Sequence, residues 1–160
     1  MKVKDLMTSE VTSCDLNASL ADAAKAMWDH DCGVLPVLKD GKELVGVITD
    51  RDICMASVMR DSYPSHISVE EAITGEVFST TPDDDLQQAL ITMGQHQVRR
   101  LPVIDSEGQL KGMLSMNDVT ECLGRKGMDL PVKKIVEAFK SIGAHRQLPE
   151  TNEQALSATV

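Results

Sequence analysis

Two short spacings in this chain carry recognisable chemistry: Thr49-x-x-Asp52 and Ser115-x-x-Asp118. Each follows an apolar stretch, Leu44 to Ile48 in one case and Leu110 to Leu114 in the other. A hydroxyl residue at such a point opens a helix, whose first free N–H groups and positive dipole end suit phosphate oxygens. A carboxylate in the first helical turn can accept hydrogen bonds from two vicinal hydroxyls, which a single acceptor holds poorly. The same spacing also reads as a capping box that needs no ligand, and the two roles can coexist. Arg51 and Asn117 lie inside these spacings. Arg99 and Arg100 stand together just before Leu101-Pro102-Val103. Paired guanidinium groups bind phosphate bidentately, although solvated arginines or ion pairs with acids such as Asp105 are the plainer alternative.

These residues recur because the chain repeats itself. At an offset of 66 residues, 15 of the 51 positions from 3 to 53 are identical without a gap. Unrelated sequences of ordinary composition would match at about three. Val3 falls on Val69, Leu35-Pro36-Val37 on Leu101-Pro102-Val103, and Asp52 on Asp118. The charge pattern differs where Gly33-Val34 stands against Arg99-Arg100. The first copy thus lacks the arginine pair, for which Arg51 is the available substitute, and the second is the better candidate site.

The elements that must position these residues follow the same order twice. Val11-Thr12-Ser13 and Val77-Phe78-Ser79 read as short strands. Ser19 before Leu20, with Asp22 three residues on, marks a helix start; Asp85 before Leu86 marks its equivalent. Leu20, Ala23, Ala24 and Met27 recur at helical spacing, as do Leu86, Ala89, Leu90 and Met93. Two apolar strands joined by a turn at Asp40-Gly41 or Ser106-Glu107-Gly108 come next, and then a second helix. Pro36 and Pro102 confine their strands to edge or non-donating positions. The unit is β-α-β-β-α, which implies an α/β (α+β) class with helices covering one side of each sheet.

Composition bounds the function. A net charge of −9 argues against nucleic acid and against an anionic membrane surface. No secretory core and no membrane-spanning run occurs, so the expectation is a cytoplasmic protein. Cys14, Cys32, Cys54 and Cys122 show no metal-ligand spacing, and inert thiols are expected. Cys32 lies two residues from His30, but Val98 replaces it in the second copy, which leaves thiol or metal sensing as a minor alternative. His30 and His96 fall at equivalent helix ends, where an imidazole meets the negative dipole end. No nucleophile–base motif, P-loop or zinc-protease motif is present, so no catalytic residue and no catalytic cofactor are expected.

With the L-P-V strands, the D-G and E-G turns, and the stretches G-V-I-T-D-R-D and G-M-L-S-M-N-D in view, the chain resembles a tandem cystathionine-beta-synthase (CBS) domain pair, a Bateman module. The resemblance covers residues 1 to about 123. It implies two repeats packed face to face with pseudo-two-fold symmetry, with two clefts between them. It also implies a homodimer and an adenine nucleotide (AMP, ADP or ATP, less readily NAD or S-adenosylmethionine) as a regulatory ligand. In such a pair Asp52 and Asp118 would hold ribose, Thr49, Ser115 and Arg100 would approach phosphate, and adenine would lie near Thr12-Ser13 or Phe78-Ser79-Thr80 and near residues such as Val34. A ligand-free scaffold acting through a partner protein is the alternative.

The expected organisation is repeat 1 over residues 1–60, a linker over 61–68, repeat 2 over 69–123, a helical extension over 124–146 and a flexible tail over 147–160. So short an extension leaves no room for a further enzyme or channel domain, and a stand-alone module is expected. Within the extension, Asp129-Leu130-Pro131 reads as a helix start. Val132, Ile135, Val136, Phe139 and Ile142 share a stripe expected to pack on the chain's own repeats or on a dimer mate.

Overall fold

The computed structural model describes residues 1–73, 76–123 and 131–144. The first copy contains β1 (Cys14–Asp15), α1 (Leu20–Asp29), β2 (Val34–Lys39), β3 (Glu43–Thr49) and α2 (Asp50–Arg60). A short helix, α3 (Val69–Ala72), leads into the second copy: α4 (Leu86–His96), β4 (Arg100–Ile104), β5 (Leu110–Ser115) and α5 (Met116–Glu121). The last element is α6 (Val132–Ile142). The α/β class, the two small sheets and the C-terminal helix all match the sequence expectation.

Each sheet is built on the same antiparallel pair. β2 pairs with β3 from Val34↔Thr49 to Lys39↔Glu43, and β4 with β5 from Arg100↔Ser115 to Ile104↔Leu110. The register slips at Val37/Leu38 and at the equivalent Val103/Ile104. β2 is the central strand of its sheet, so Pro36 is not at an edge. It is tolerated because β1 pairs only from Val37 onward, and the missing N–H is never called on.

The leading strands depart from expectation. Val11-Thr12-Ser13 forms no ladder; pairing begins later, at Cys14↔Val37. In the second copy Val77-Phe78-Ser79 is likewise unpaired, and only Thr80 bridges to Val103. Alternating apolar residues there were satisfied by packing rather than by a strand partner. Phe78, for example, lies against the second core.

Each copy contributes its opening turn to the other copy's core. Val3 is fully buried among Leu86, Met93, Leu101 and Leu114, and its N–H donates to the Asp84 carbonyl at 3.0 Å. Its equivalent Val69 is buried with Leu20, Leu35 and Ile48, and donates to the Ala18 carbonyl at 2.8 Å. This exchange explains a duplicated glycine. A Cβ on Gly112 would stand 2.6 Å from the Thr8 carbonyl oxygen, and one on Gly46 would stand 2.7 Å from Ile73 Cδ1. The chain crossing each sheet leaves no space for a side chain at either point. The repeats also meet at their hairpins, where Glu43 bridges to Gln109 and the Leu44 N–H donates to the Gly108 carbonyl at 3.3 Å.

The C-terminal helix splits its apolar stripe. Ile135 and Ala138 are buried in the second core with Ile142 beside them, while Val132, Val136 and Phe139 remain exposed. The expected helix start at Asp129-Leu130 and the tail 147–160 lie outside the described residues; Pro131 occupies the N-cap.

Candidate functional site

The two helix mouths have the same local construction. At α2, Asp52 Oδ2 accepts from the Thr49 N–H at 2.9 Å and from Thr49 Oγ1 at 2.7 Å. The Asp52 N–H donates back to Thr49 Oγ1 at 3.1 Å. At α5, Asp118 Oδ2 accepts from the Ser115 N–H at 2.7 Å and Oγ at 2.6 Å, and its N–H donates to Ser115 Oγ at 3.2 Å. Both are capping boxes, each satisfying two helix-end donors. In each, Oδ2 carries every bond to the described residues, and Oδ1 takes part in none. The carboxylates are half-buried, so they are held in place while one oxygen stays available to a ligand.

What faces each mouth differs. The first N–H of α2 donates to the Gly33 carbonyl at 3.3 Å, and the first of α5 donates to the Arg99 carbonyl at 3.0 Å. The strand register sets Val34 opposite Thr49 and Arg100 opposite Ser115. The fold therefore brings the backbones of Arg99, Arg100 and Ser115 together, with Asp118 in the first turn of α5. Neither arginine forms an ion pair with a described residue; the Asp105 carboxylate pairs with Lys111 at 2.8 Å instead. That pairing and the Gln109 N–H hold Asp105 below the usual carboxylate range. Arg99 is exposed and Arg100 half-buried. In the first copy a Cβ on Gly33 would lie 3.1 Å from Asp50 Oδ2, so that mouth carries an acid where the second carries a base. Arg51 and Asn117 are exposed on the first turns of α2 and α5.

The residues expected near adenine are placed less uniformly. Thr80 is buried beside β4: its N–H donates to the Pro102 carbonyl at 3.0 Å, and its Oγ1 donates to Asp84 Oδ2 at 2.9 Å. Ser79 is half-buried next to it. The Phe78 ring stacks on His96 with centroids 3.6 Å apart and planes 19° apart. Both His96 and its equivalent His30 are exposed, and His96 alone stacks on an aromatic ring among the described residues. Thr12 is half-buried, and Ser13 lines a cavity of about 250 Å³ with Leu38, Lys42 and Lys111. That cavity lies at the hairpin-turn end of the sheet, opposite the end where Thr49 sits. Lys42 and Lys111 were not legible as neighbours, because only the pairing of the two hairpins brings them together.

Cys14 is chemically quiet: burial first, and then the Asp15 carboxylate, push its thiol up to about 11. Among the described residues no group of His, Cys, Asp and Glu is arranged to hold a metal ion. No described helix is long and apolar enough to cross a membrane.

The same repeated architecture appears in known proteins. The CBS domain, as a family model, matches residues 3–58 and again 69–125. The CBS domain-containing protein YhcV of Bacillus subtilis is 35% identical over 117 residues, covering 73% of this chain and 81% of that protein. A crystal structure of Hypoxic Response Protein I with two coordinated zinc ions superposes with a TM-score of 0.70 at 29% identity, over 82% of this chain and all of that one. The CBS domain pair of MJ0100, solved with 5-methylthioadenosine and S-adenosyl-L-methionine, gives a TM-score of 0.69 at 26% identity, covering 78% of this chain and 96% of the other. CBSX2 in complex with AMP gives 0.66 at 26% identity, covering 76% and 94%. With two family matches spanning most of the sequence and the duplicated helix-mouth geometry, the chain belongs to the CBS-domain family.

Proposed function

We propose that this chain is a non-enzymatic regulatory module that binds an adenine nucleotide, preferentially at the mouth formed by Arg99, Arg100, Ser115 and Asp118. The observation that carries the reading is the register Arg100↔Ser115. It sets the Arg100 backbone opposite Ser115, the cap residue bonded to Asp118, and neither Arg99 nor Arg100 pairs with a carboxylate among the described residues. Arginine binds phosphate bidentately, and Asp118 Oδ1 is available to the ribose hydroxyls. Adenine would contact Ser79 and Thr80, with Phe78 nearby. The first mouth, with Thr49, Arg51, Asp52 and Val34, is the weaker site, because the Asp50 carboxylate next to Gly33 opposes a phosphate. Ser13, at the hairpin-turn end of its sheet, stands away from this mouth, which weakens it further. That CBSX2 was solved with AMP and the MJ0100 pair with adenosyl ligands supports an adenosyl ligand here. Binding shifts the balance between arrangements of the two repeats, or of two chains in a homodimer, and a target protein reads that change.

Thermal unfolding with and without millimolar AMP, ADP, ATP, NAD and S-adenosylmethionine tests the reading. A ligand at 100 times its Kd stabilises the fold by about 2.7 kcal/mol, or roughly 5–10 °C for a domain of this size. No shift with any of them would favour a ligand-free scaffold that works through protein contacts.

A further inference from the structure

Five consecutive residues at the end of α4 each serve a different part of the molecule. The His96 ring stacks on Phe78, which directly precedes Ser79 and Thr80, the residues proposed to meet adenine. The Gln97 side-chain amide donates to the Ala144 carbonyl at 2.8 Å and to the Ser141 carbonyl at 3.4 Å, at the C-terminal end of α6. This is also where α6 comes closest to α4, since a Cβ on Gly94 would lie 3.2 Å from Ser141 Cβ. Val98 packs on the second core, and its N–H donates to the Met93 carbonyl at 3.0 Å. The Arg99 carbonyl accepts from the first N–H of α5, and Arg100 begins β4 opposite Ser115. Gln97 stands at φ +52° and its equivalent Asp31 at +49°, so the two copies share the turn. They do not share its contacts. Among the described residues, His30 stacks on no ring and the Asp31 side chain holds no helix end.

We infer that this turn is a latch through which the second mouth controls α6: a nucleotide held there loosens the Gln97 grip, and α6 comes away from α4. The inference rests on the nucleotide reading above and gives that reading an output. Two features make α6 releasable. Of its own residues it buries Ile135 and Ala138 alone, and a slot of about 250 Å³ opens between it and α4 beside Leu90 and Ile91. An element with so few buried contacts opens at low free energy. Two further features make it answer to ligand. From Glu76 to Ser79 the chain forms no backbone hydrogen bond to another described residue, so the Phe78 ring is its anchor there. A purine seated against Ser79 and Thr80 offers Phe78 a larger aromatic face than the His96 imidazole does, and competes for it. Its phosphate draws Arg99 and Arg100 on the other side of Gln97. Both pulls act on the residues that flank Gln97, whose left-handed backbone persists only while its neighbours hold it.

Hydrogen–deuterium exchange of the full chain, read on the α6 amides, tests the latch beside calorimetric titration with AMP, ADP and ATP. In wild type, a saturating nucleotide should speed α6 exchange about fivefold or more and leave α1 unchanged. Without nucleotide, Phe78→Leu keeps an apolar side chain against the core but removes the stack, and should loosen α6 to a similar degree. His96→Ala removes the stack from its exposed side and serves should Phe78→Leu fail to fold; His30→Ala, its counterpart in the first copy, should leave α6 as it was. Gln97→Ala should loosen α6 and, because coupling is reciprocal, tighten nucleotide binding about fivefold. A merely structural Gln97 would alter exchange and not affinity. A nucleotide that binds while α6 exchange stays constant, or Gln97→Ala with faster exchange and unchanged affinity, overturns the latch and leaves the binding reading standing. No binding of any of the three nucleotides to wild type overturns the binding reading and the latch with it.

Discussion

The first and second copies share a backbone plan and 15 of 51 aligned residues, and two of their differences change the surface they present. At the helix mouths, Gly33-Val34 faces Asp50 in one copy, while Arg99-Arg100 faces Ser115 in the other. On the helical faces, Trp28 projects into solvent where Gly94 accepts α6. The residues that hold the fold are the ones kept: Val3/Val69, Leu20/Leu86, Met27/Met93, Leu35/Leu101 and Gly46/Gly112. Duplication preserved two cores of nearly the same composition, while the helix mouths and the helical faces diverged. A symmetric scaffold thereby carries asymmetric surfaces, one mouth basic and the other acidic.

The sharpest stability contrast concerns the paired glycines. Gly112→Ala drives a methyl into the Thr8 carbonyl, which is backbone, and should cost about 1–3 kcal/mol in urea unfolding. Gly46→Ala meets the flexible end of Ile73 and should cost less. Equal losses would mean that the two crossings are equally rigid and that the asymmetry stops at the surface.

A smaller contrast lies at the starts of α1 and α4. Ser19 Oγ accepts from the Asp22 N–H at 3.1 Å in a full capping box, whereas Asp85 makes no side-chain cap bond and pairs instead with Lys2 at 2.9 Å, both exposed. Ser19→Ala should therefore cost about 1 kcal/mol, and Asp85→Ala under about 0.5 kcal/mol by the same denaturation measurement.

The smallest effect is a pH dependence at Asp84, in the second copy. The Thr81 N–H, with help from the Thr80 hydroxyl, holds the Asp84 carboxyl below its ordinary 3.8; the first copy has Ala18 at the equivalent position. A depressed carboxyl stabilises the fold above its unfolded value and loses that contribution as pH falls through its folded value. The difference in stability between wild type and Asp84→Ala should be complete at pH 7 and shrink progressively below about pH 4. A difference that stayed constant to pH 2 would show that Asp84 acts by packing alone.

Much of this was legible because it is local. The offset of 66, the helical stripes and the Thr49 and Ser115 capping boxes depend on residues within a few positions of one another. The pairing of Arg100 with Ser115 was within reach, since one short turn joins the two strands. What escaped depends on contacts between segments far apart. The exchange of Val3 and Val69 between cores leaves no mark beyond their identity. The extended stretch before each helix looks the same whether it finds a strand partner or only packs, so the strands expected at Val11 and Val77 gave way to Cys14–Asp15 and a single bridge at Thr80. Nor does helical periodicity reveal that only half of the α6 stripe meets the core, or that Phe78 lies against His96.

The most direct test of the central claim is a calorimetric titration of wild type, Asp118→Ala and Asp52→Ala with AMP, ADP or ATP, whichever gives the largest thermal shift. Both substitutions remove a capping box, so they should destabilise the fold about equally. Binding at the second mouth predicts that Asp118→Ala weakens affinity by about 1–3 kcal/mol through lost hydrogen bonds to a charged group, with Asp52→Ala doing distinctly less. Equal and negligible effects of the two substitutions on affinity would contradict it.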